Sequence, residues 1–154
     1  MTNTARILST AMASSLVIGP LVASQTQSKV NVCSLLPKAE VKKLIGANDG
    51  FDRVEPTEVP TKTGSSCRYA DLLVMVNEGD FDGVRKNARQ FESLSGVGQE
   101  AYLFNNPAGG VELFASVGPG RQMTLSRRVD AASTAAATRP GVIALAKALV
   151  AKLQ

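Results

Sequence analysis

Residues 100–129 read EAYLFNNPAGGVELFASVGPGRQMTLSRRV, and their pattern decides the fold. Three stretches of strand character, 100–104, 111–117 and 122–129, are separated by Asn105-Asn106-Pro107-Ala108-Gly109-Gly110 and by Gly118-Pro119-Gly120. Gly, Pro and Asn supply the backbone angles that chain reversals need, so the short links predict an antiparallel meander. In the middle stretch Val111, Leu113, Ala115 and Val117 share one side while Glu112, Phe114 and Ser116 share the other. That period of two belongs to a sheet with one buried face.

Toward the N-terminus the pattern stays extended over 66–70 and 72–76, and Leu72-Leu73-Val74-Met75-Val76 is apolar on both faces, as a central strand requires. Between this strand and the meander, Phe81, Val84, Ala88 and Phe91 recur at helical spacing, which predicts a helix from an Asp80 cap to about Phe91, followed by a turn over 93–98. Residues 47–65 contain Asn48-Asp49-Gly50, Pro56, Pro60 and Gly64 and read as a long connection with at most an edge strand. Before it, Pro37 opens a helix with Val41, Leu44 and Ile45 on one side, and Gly46 ends it. At the other end Val142, Leu145, Ala146, Leu149, Val150 and Leu153 form an apolar stripe starting near Pro140, after an Ala-rich connection over 131–138. The stripe suits packing on the sheet better than a membrane surface, because only Lys147 and Lys152 flank it. The expected fold is α+β: an antiparallel sheet of about five strands packed by N-terminal, middle and C-terminal helices, in one domain over 33–154.

The opening segment carries one charge, Arg6, and then an uncharged run over 7–22 interrupted by Gly19-Pro20. With small residues at Ala23 and Ser24, residues 1–24 read as a signal peptide. The run is shorter than the ~20 apolar residues a spanning helix needs. No stable membrane anchor is expected after cleavage. Residues 25–32 form a polar, flexible lead-in. The expected location is outside the cytosol, in a periplasm or beyond the cell. In that oxidising setting the two cysteines, Cys33 and Cys67, are most simply one disulfide, the alternative being two buried thiols.

Four segments share a further resemblance. Cys33-Ser34-Leu35-Leu36 leads into Ala39-Glu40-Val41. Then come Ser66-Cys67-Arg68-Tyr69, Gly96-Val97-Gly98-Gln99-Glu100-Ala101-Tyr102, and a closing apolar helix. The pattern resembles small secreted and lipoprotein domains of bacterial envelopes, a domain family of unknown function, over 33–154. This chain departs from them in lacking a lipidation cysteine and in having Gln99 where an acid is common. The resemblance implies a bond between the two cysteines and a helix-covered antiparallel sheet. It implies no activity, substrate or catalytic residue.

Composition narrows the chemistry further. The 154 residues include 17 Lys and Arg against 13 Asp and Glu, and no His or Trp. A Ser-His-Asp triad and imidazole metal ligands are therefore excluded, and two cysteines cannot build a four-thiolate zinc site. Nothing in the pattern calls for a metal, a cofactor or a nucleic-acid partner, and the net charge of +4 is a weak guide to partners. Gly96-Val97-Gly98 reads as a tight turn because a strand, not a helix, follows it. Glu78, Asp80 and Asp82 fall short of a calcium loop because Arg89 stands where its bidentate Glu belongs.

Three functional readings remain. If Leu103 and Leu113 point inward, then Tyr102, Phe104 and Phe114 point outward, joined by Met75 across the sheet. Such a face would bind an envelope protein or an apolar ligand, unless a helix or the 47–65 connection covers it. This non-catalytic binding module is the leading reading. A basic corner of Arg121, Arg127 and Arg128 would instead make the protein an electrostatic adaptor to anionic envelope polymers. A hydrolase would have to draw on carboxylates such as Glu100 and Glu112.

Overall fold

A computed structural model describes residues 30–46, 49–107, 109–129 and 134–154. The expected signal peptide and residues 25–29 of the lead-in lie outside the described residues. The architecture is α+β, with one antiparallel sheet of seven strands in the order β1-β2-β3-β7-β6-β5-β4. The strands are β1 Thr57–Val59, β2 Gly64–Tyr69, β3 Leu72–Glu78, β4 Glu92–Leu94, β5 Glu100–Asn106, β6 Gly110–Gly118 and β7 Arg121–Arg128. The expectation of about five strands is therefore too low. The two additional strands are the three-residue edges: β1 is the edge strand that the 47–65 connection left room for, and β4 takes up the start of the expected turn over 93–98.

The meander is present as β5, β6 and β7, and its last strand closes the sheet by pairing along the whole of β3. The apolar run over 72–76 is thus a central strand, with β2 on one side and β7 on the other. The alternation in β6 also holds: Val111, Leu113, Ala115 and Val117 are all buried on the inner face.

Helices α1 Val32–Leu35, α2 Lys38–Ile45, α3 Asp49–Asp52 and α5 Ala135–Leu153 account for the rest, together with α4 Asp82–Lys86 and a 3-10 turn at Ala88–Gln90. α2 runs as its sequence predicts, ending at Gly46 with φ of 60°. α5 is longer than expected. Thr134 caps it by accepting the Ala137 N–H at 3.2 Å, and Pro140 lies inside the helix rather than at its start. The run of alanines favours helix strongly enough to absorb the single bond that Pro140 cannot donate. Val142, Leu145, Ala146, Leu149 and Val150 are buried. α5 packs on β6 and β7 and crosses α2 at Gly141, where an added Cβ would lie 2.8 Å from the Ile45 Cα.

The middle helix departs furthest from expectation. It stops at Lys86 instead of continuing to about Phe91, and its cap position is Phe81. Asp80 still accepts the Asp82 N–H at 3.2 Å, one position before the cap. Gly83 and Asn87 weaken the helix, and Asn87 turns its amide onto the Gly83 carbonyl at 3.0 Å.

The N-terminal helix is stapled to β2 at three alternate positions of one strand face. Ser65 Oγ accepts the Val32 N–H at 3.0 Å, Cys67 is disulfide-bonded to Cys33, and Tyr69 donates its hydroxyl to the Leu36 carbonyl at 2.7 Å. Residues i, i+2 and i+4 of a strand project to the same side, which explains the spacing. Burial, with a smaller contribution from the Glu40 charge, pushes the Tyr69 hydroxyl up to about 12.

Candidate functional site

Because helices fill the inner side, candidate function falls to the outer face. Its residues follow from the register. One row across the strands runs Ser66, Met75, Thr124, Phe114, Tyr102 and Ser93; the next runs Arg68, Leu73, Ser126, Glu112 and Phe104. The four predicted face residues therefore do lie on one side of the sheet. Tyr102, Phe104 and Phe114 come together, while Met75 is set apart from Phe114 by Thr124 on β7.

What joins the three aromatics is Phe91. Its ring centroid lies 6.3 Å from Tyr102, 5.4 Å from Phe104 and 5.6 Å from Phe114. Phe81 stacks on Tyr102 at 6.0 Å with planes 17° apart. The segment 81–91 thus lies over this half of the face, held by the phenylalanines at its two ends. The helical stripe in the sequence contained both residues, but it assigned them to a regular helix, not to a broken one pinned at its ends. Phe91, Tyr102, Phe104 and Phe114 are left half-buried, as are Leu73, Met75, Thr124 and Ser126 on the other half.

A polar network borders the aromatic cluster. Tyr102 donates its hydroxyl to Glu100 Oε1 at 2.6 Å, Arg85 Nε donates to Glu100 Oε2 at 2.7 Å, and Arg85 Nη1 donates to Asp82 Oδ1 at 2.8 Å. The guanidinium also lies 5.8 Å from the Phe81 ring centroid. The Tyr102 hydrogen bond, then that from Arg85, holds the Glu100 carboxyl below the usual range. The same carboxylate raises both Tyr102 and Arg85 above theirs. A carboxylate stabilised in this way is a poor general acid or base near neutrality.

Nor does Glu100 meet Glu112. Glu100 sits opposite Ser116, four positions along β6 from Glu112, a backbone separation of about 13 Å along the strand. Glu112 instead accepts the Asn106 amide at 3.4 Å.

The basic corner is not assembled either. Arg121 and Arg127 stand at opposite ends of β7, roughly 20 Å apart along the strand. Arg127 points inward and is 7% exposed. Its Nε donates to Asp71 Oδ2 at 3.1 Å and its Nη1 to the Ile45 carbonyl at 2.8 Å, so it closes the C-terminal end of α2. The signal for this was parity: Arg127 shares the side of Met123 and Leu125. Arg128 projects outward and is exposed, and Arg121 is half-buried. Arg128 lines a cleft of about 130 Å³ together with Arg68 of the Ser-Cys-x-Tyr segment, whose outward position follows from strand parity and not from the motif.

Gly96 and Gly98 form the expected turn, with φ of 71° and 59°. A Cβ at Gly98 would lie 2.3 Å from the Ser116 carbonyl oxygen, so packing against β6 accounts for this glycine. Among the described residues no cluster of acidic or thiolate side chains is arranged to hold a metal, and no helix is long and apolar enough to cross a membrane. Comparison with protein-family models, with curated proteins and with solved structures finds no match for this chain.

Proposed function

We propose that this chain is an exported, non-catalytic binding module of the bacterial envelope, and that the outer sheet face holds a partner protein or an apolar ligand. The observation that carries the reading is the contrast between the two sides of one sheet. Val74, Leu113 and Leu125 on the inner side are fully buried, whereas Leu73, Met75, Thr124 and Phe114 on the outer side keep part of their surface in water. Covering that remainder recovers about 25 cal/mol for each Å² of apolar area. Export is supported by the uncharged run over 7–22 and by the disulfide, which persists in oxidising compartments. A non-catalytic role is supported by the wide separation of Glu100 from Glu112 and by the neutralisation of Glu100 by Arg85.

Site-directed photo-crosslinking in the native envelope tests the reading. A photoreactive phenylalanine analogue placed at Met75 or at Thr124 should give one discrete adduct, and the same analogue at Lys147 on α5 should give none. Equal labelling from both sides of the molecule, or no adduct from the sheet, would overturn the proposal.

A further inference from the structure

We infer that the cleft between Arg68 and Arg128 is a binding site for a phosphate oxyanion, carried either by a soluble phosphate ester or by the headgroup of an anionic phospholipid. The inference stands on Arg68 and Arg128, which the partner reading above does not use, although the cleft they line shares Leu73 with that face.

The register brings the two arginines together. Arg68 on β2 lies opposite Leu73 on β3, and Leu73 lies opposite Ser126 on β7. Arg128 is the next outward residue beyond Ser126. The two Cα atoms are therefore about 10 Å apart across the strands and 7 Å along them, a span that two extended guanidinium side chains close from either side. Both side chains, Leu73 and Ser126 line the same cleft of about 130 Å³. At about 30 Å³ for each water, this is room for roughly four, the size of a tetrahedral oxyanion.

The electrostatics of the cleft depend on how its one carboxylate is used. Asp71 also lines it, but its Oδ2 is bound by the inward-facing Arg127 at 3.1 Å, and its backbone carbonyl accepts the Arg128 N–H at 3.0 Å. The acid is thereby tied to the buried guanidinium. Arg85 is neutralised by Glu100 and Asp82, and Arg139 by Glu92, whereas Arg53 and Arg89 are in no ion pair among the described residues but do not line this cleft. Arg68 and Arg128 make no ion pair among the described residues. Glu112, the cross-strand neighbour of Ser126, lines an adjoining cleft with Ser126 and Arg128 on the side away from Arg68, where it accepts the Asn106 amide. Two arginines and a serine lining one small cleft supply the donors that phosphate oxygens take, and guanidinium groups bind phosphate in bidentate fashion.

The test titrates the protein with inorganic phosphate and with glycerol 3-phosphate, following the Nε–Hε resonances of Arg68 and Arg128 by NMR. In parallel it is sedimented with phosphatidylglycerol-containing vesicles and with pure phosphatidylcholine vesicles. Arg68→Ala and Arg128→Ala should each weaken binding about tenfold, and Arg128→Lys, which keeps charge but loses the fork, should weaken it measurably. Lys86→Ala, which removes one positive charge from α4, should leave binding unchanged. Arginine-dependent saturation by the soluble phosphates identifies a soluble ester; arginine-dependent retention on phosphatidylglycerol alone identifies a headgroup. Absence of binding in both arms, wild-type affinity in both alanine variants, or a loss in Lys86→Ala as large as in Arg128→Ala would each overturn the inference.

Discussion

Replacing Gly141 by Ala sets two opposing effects against each other. In an exposed helix interior the change stabilises by about 1 kcal/mol, because glycine loses more backbone freedom on folding. At this position the added Cβ would lie 2.8 Å from the Ile45 Cα, 2.9 Å from the Leu44 carbonyl oxygen and 3.2 Å from the Ile45 carbonyl carbon. All three atoms are backbone, so no side-chain rotation relieves the contact. The end of α2 is also held in place, since Arg127 Nη1 binds the Ile45 carbonyl at 2.8 Å. Overpacking of a fixed core typically costs ~1–3 kcal/mol. The contact therefore offsets the helix gain, and Gly141→Ala is expected to destabilise by about 0–2 kcal/mol once that gain is subtracted. Gly83→Ala in α4 is the control: its Cβ meets nothing within 4 Å, so only the helix term acts and the variant gains ~0.5–1 kcal/mol. Urea unfolding followed by far-ultraviolet circular dichroism measures both, with an unchanged slope showing that the unfolded state is comparable. A Gly141→Ala protein stabilised as much as Gly83→Ala would refute the close seating of α5 on α2.

Three further outcomes are expected. Ala70, at φ of 48° in the β2–β3 turn, carries the steric penalty of left-handed backbone, so Ala70→Gly should stabilise by ~0.5–1 kcal/mol in the same urea assay. Replacing Cys33 and Cys67 together by Ala opens a loop with a sequence separation of 34 and should cost roughly 3–4 kcal/mol, read as a lower unfolding midpoint that reductant no longer affects. Tyr69 titrates near 12 when folded against about 10 when unfolded, so its contribution is complete below pH 10 and is lost as pH rises from 10 toward 12. Tyr69→Phe should be less stable at neutral pH, having lost the bond to Leu36, and should lack that part of the alkaline fall; equal slopes in the two proteins between pH 10 and 12 would contradict the assignment.

The parts of the fold that were readable are those in which one physical requirement repeats. β6 alternates inner and outer residues from Val111 to Ala115, before the irregularity at Ser116–Gly118, and α2 and α5 each present an apolar stripe, because burying one side of a regular element imposes its own period on the residues. The short motifs of the envelope-domain resemblance have a mechanical meaning in this fold. Cys33 and Leu36 meet Cys67 and Tyr69, so the Cys-Ser-Leu-Leu and Ser-Cys-x-Tyr segments are the two halves of one staple. Legibility failed where a single contact outweighed local preference. The 80–91 stripe had helical spacing, yet Phe91 is better placed on three aromatics of the sheet than in a last helical turn. β4 exists because its longer neighbour β5 offered it hydrogen bonds, which a three-residue sequence does not announce. Closeness in sequence groups Arg127 with Arg128, whereas a strand sends adjacent residues to opposite faces.

That last point links the core of the molecule to its surface. Arg127 is inward because β7 alternates, and the buried guanidinium needs partners, since burying an unpaired charge is prohibitive. It takes the Ile45 carbonyl, which would otherwise be an unsatisfied end of α2, and the Asp71 carboxylate from the β2–β3 turn. The same alternation that buries Arg127 exposes Ser126 and Arg128, and the backbone bond from Arg128 to Asp71 ties them to the turn that follows Arg68. The packing requirement on one side of the sheet thus determines the charge left on the other. With its carboxylate committed to the interior, the outer end of β2, β3 and β7 keeps an excess of positive charge, placed by the strand register and not by any motif.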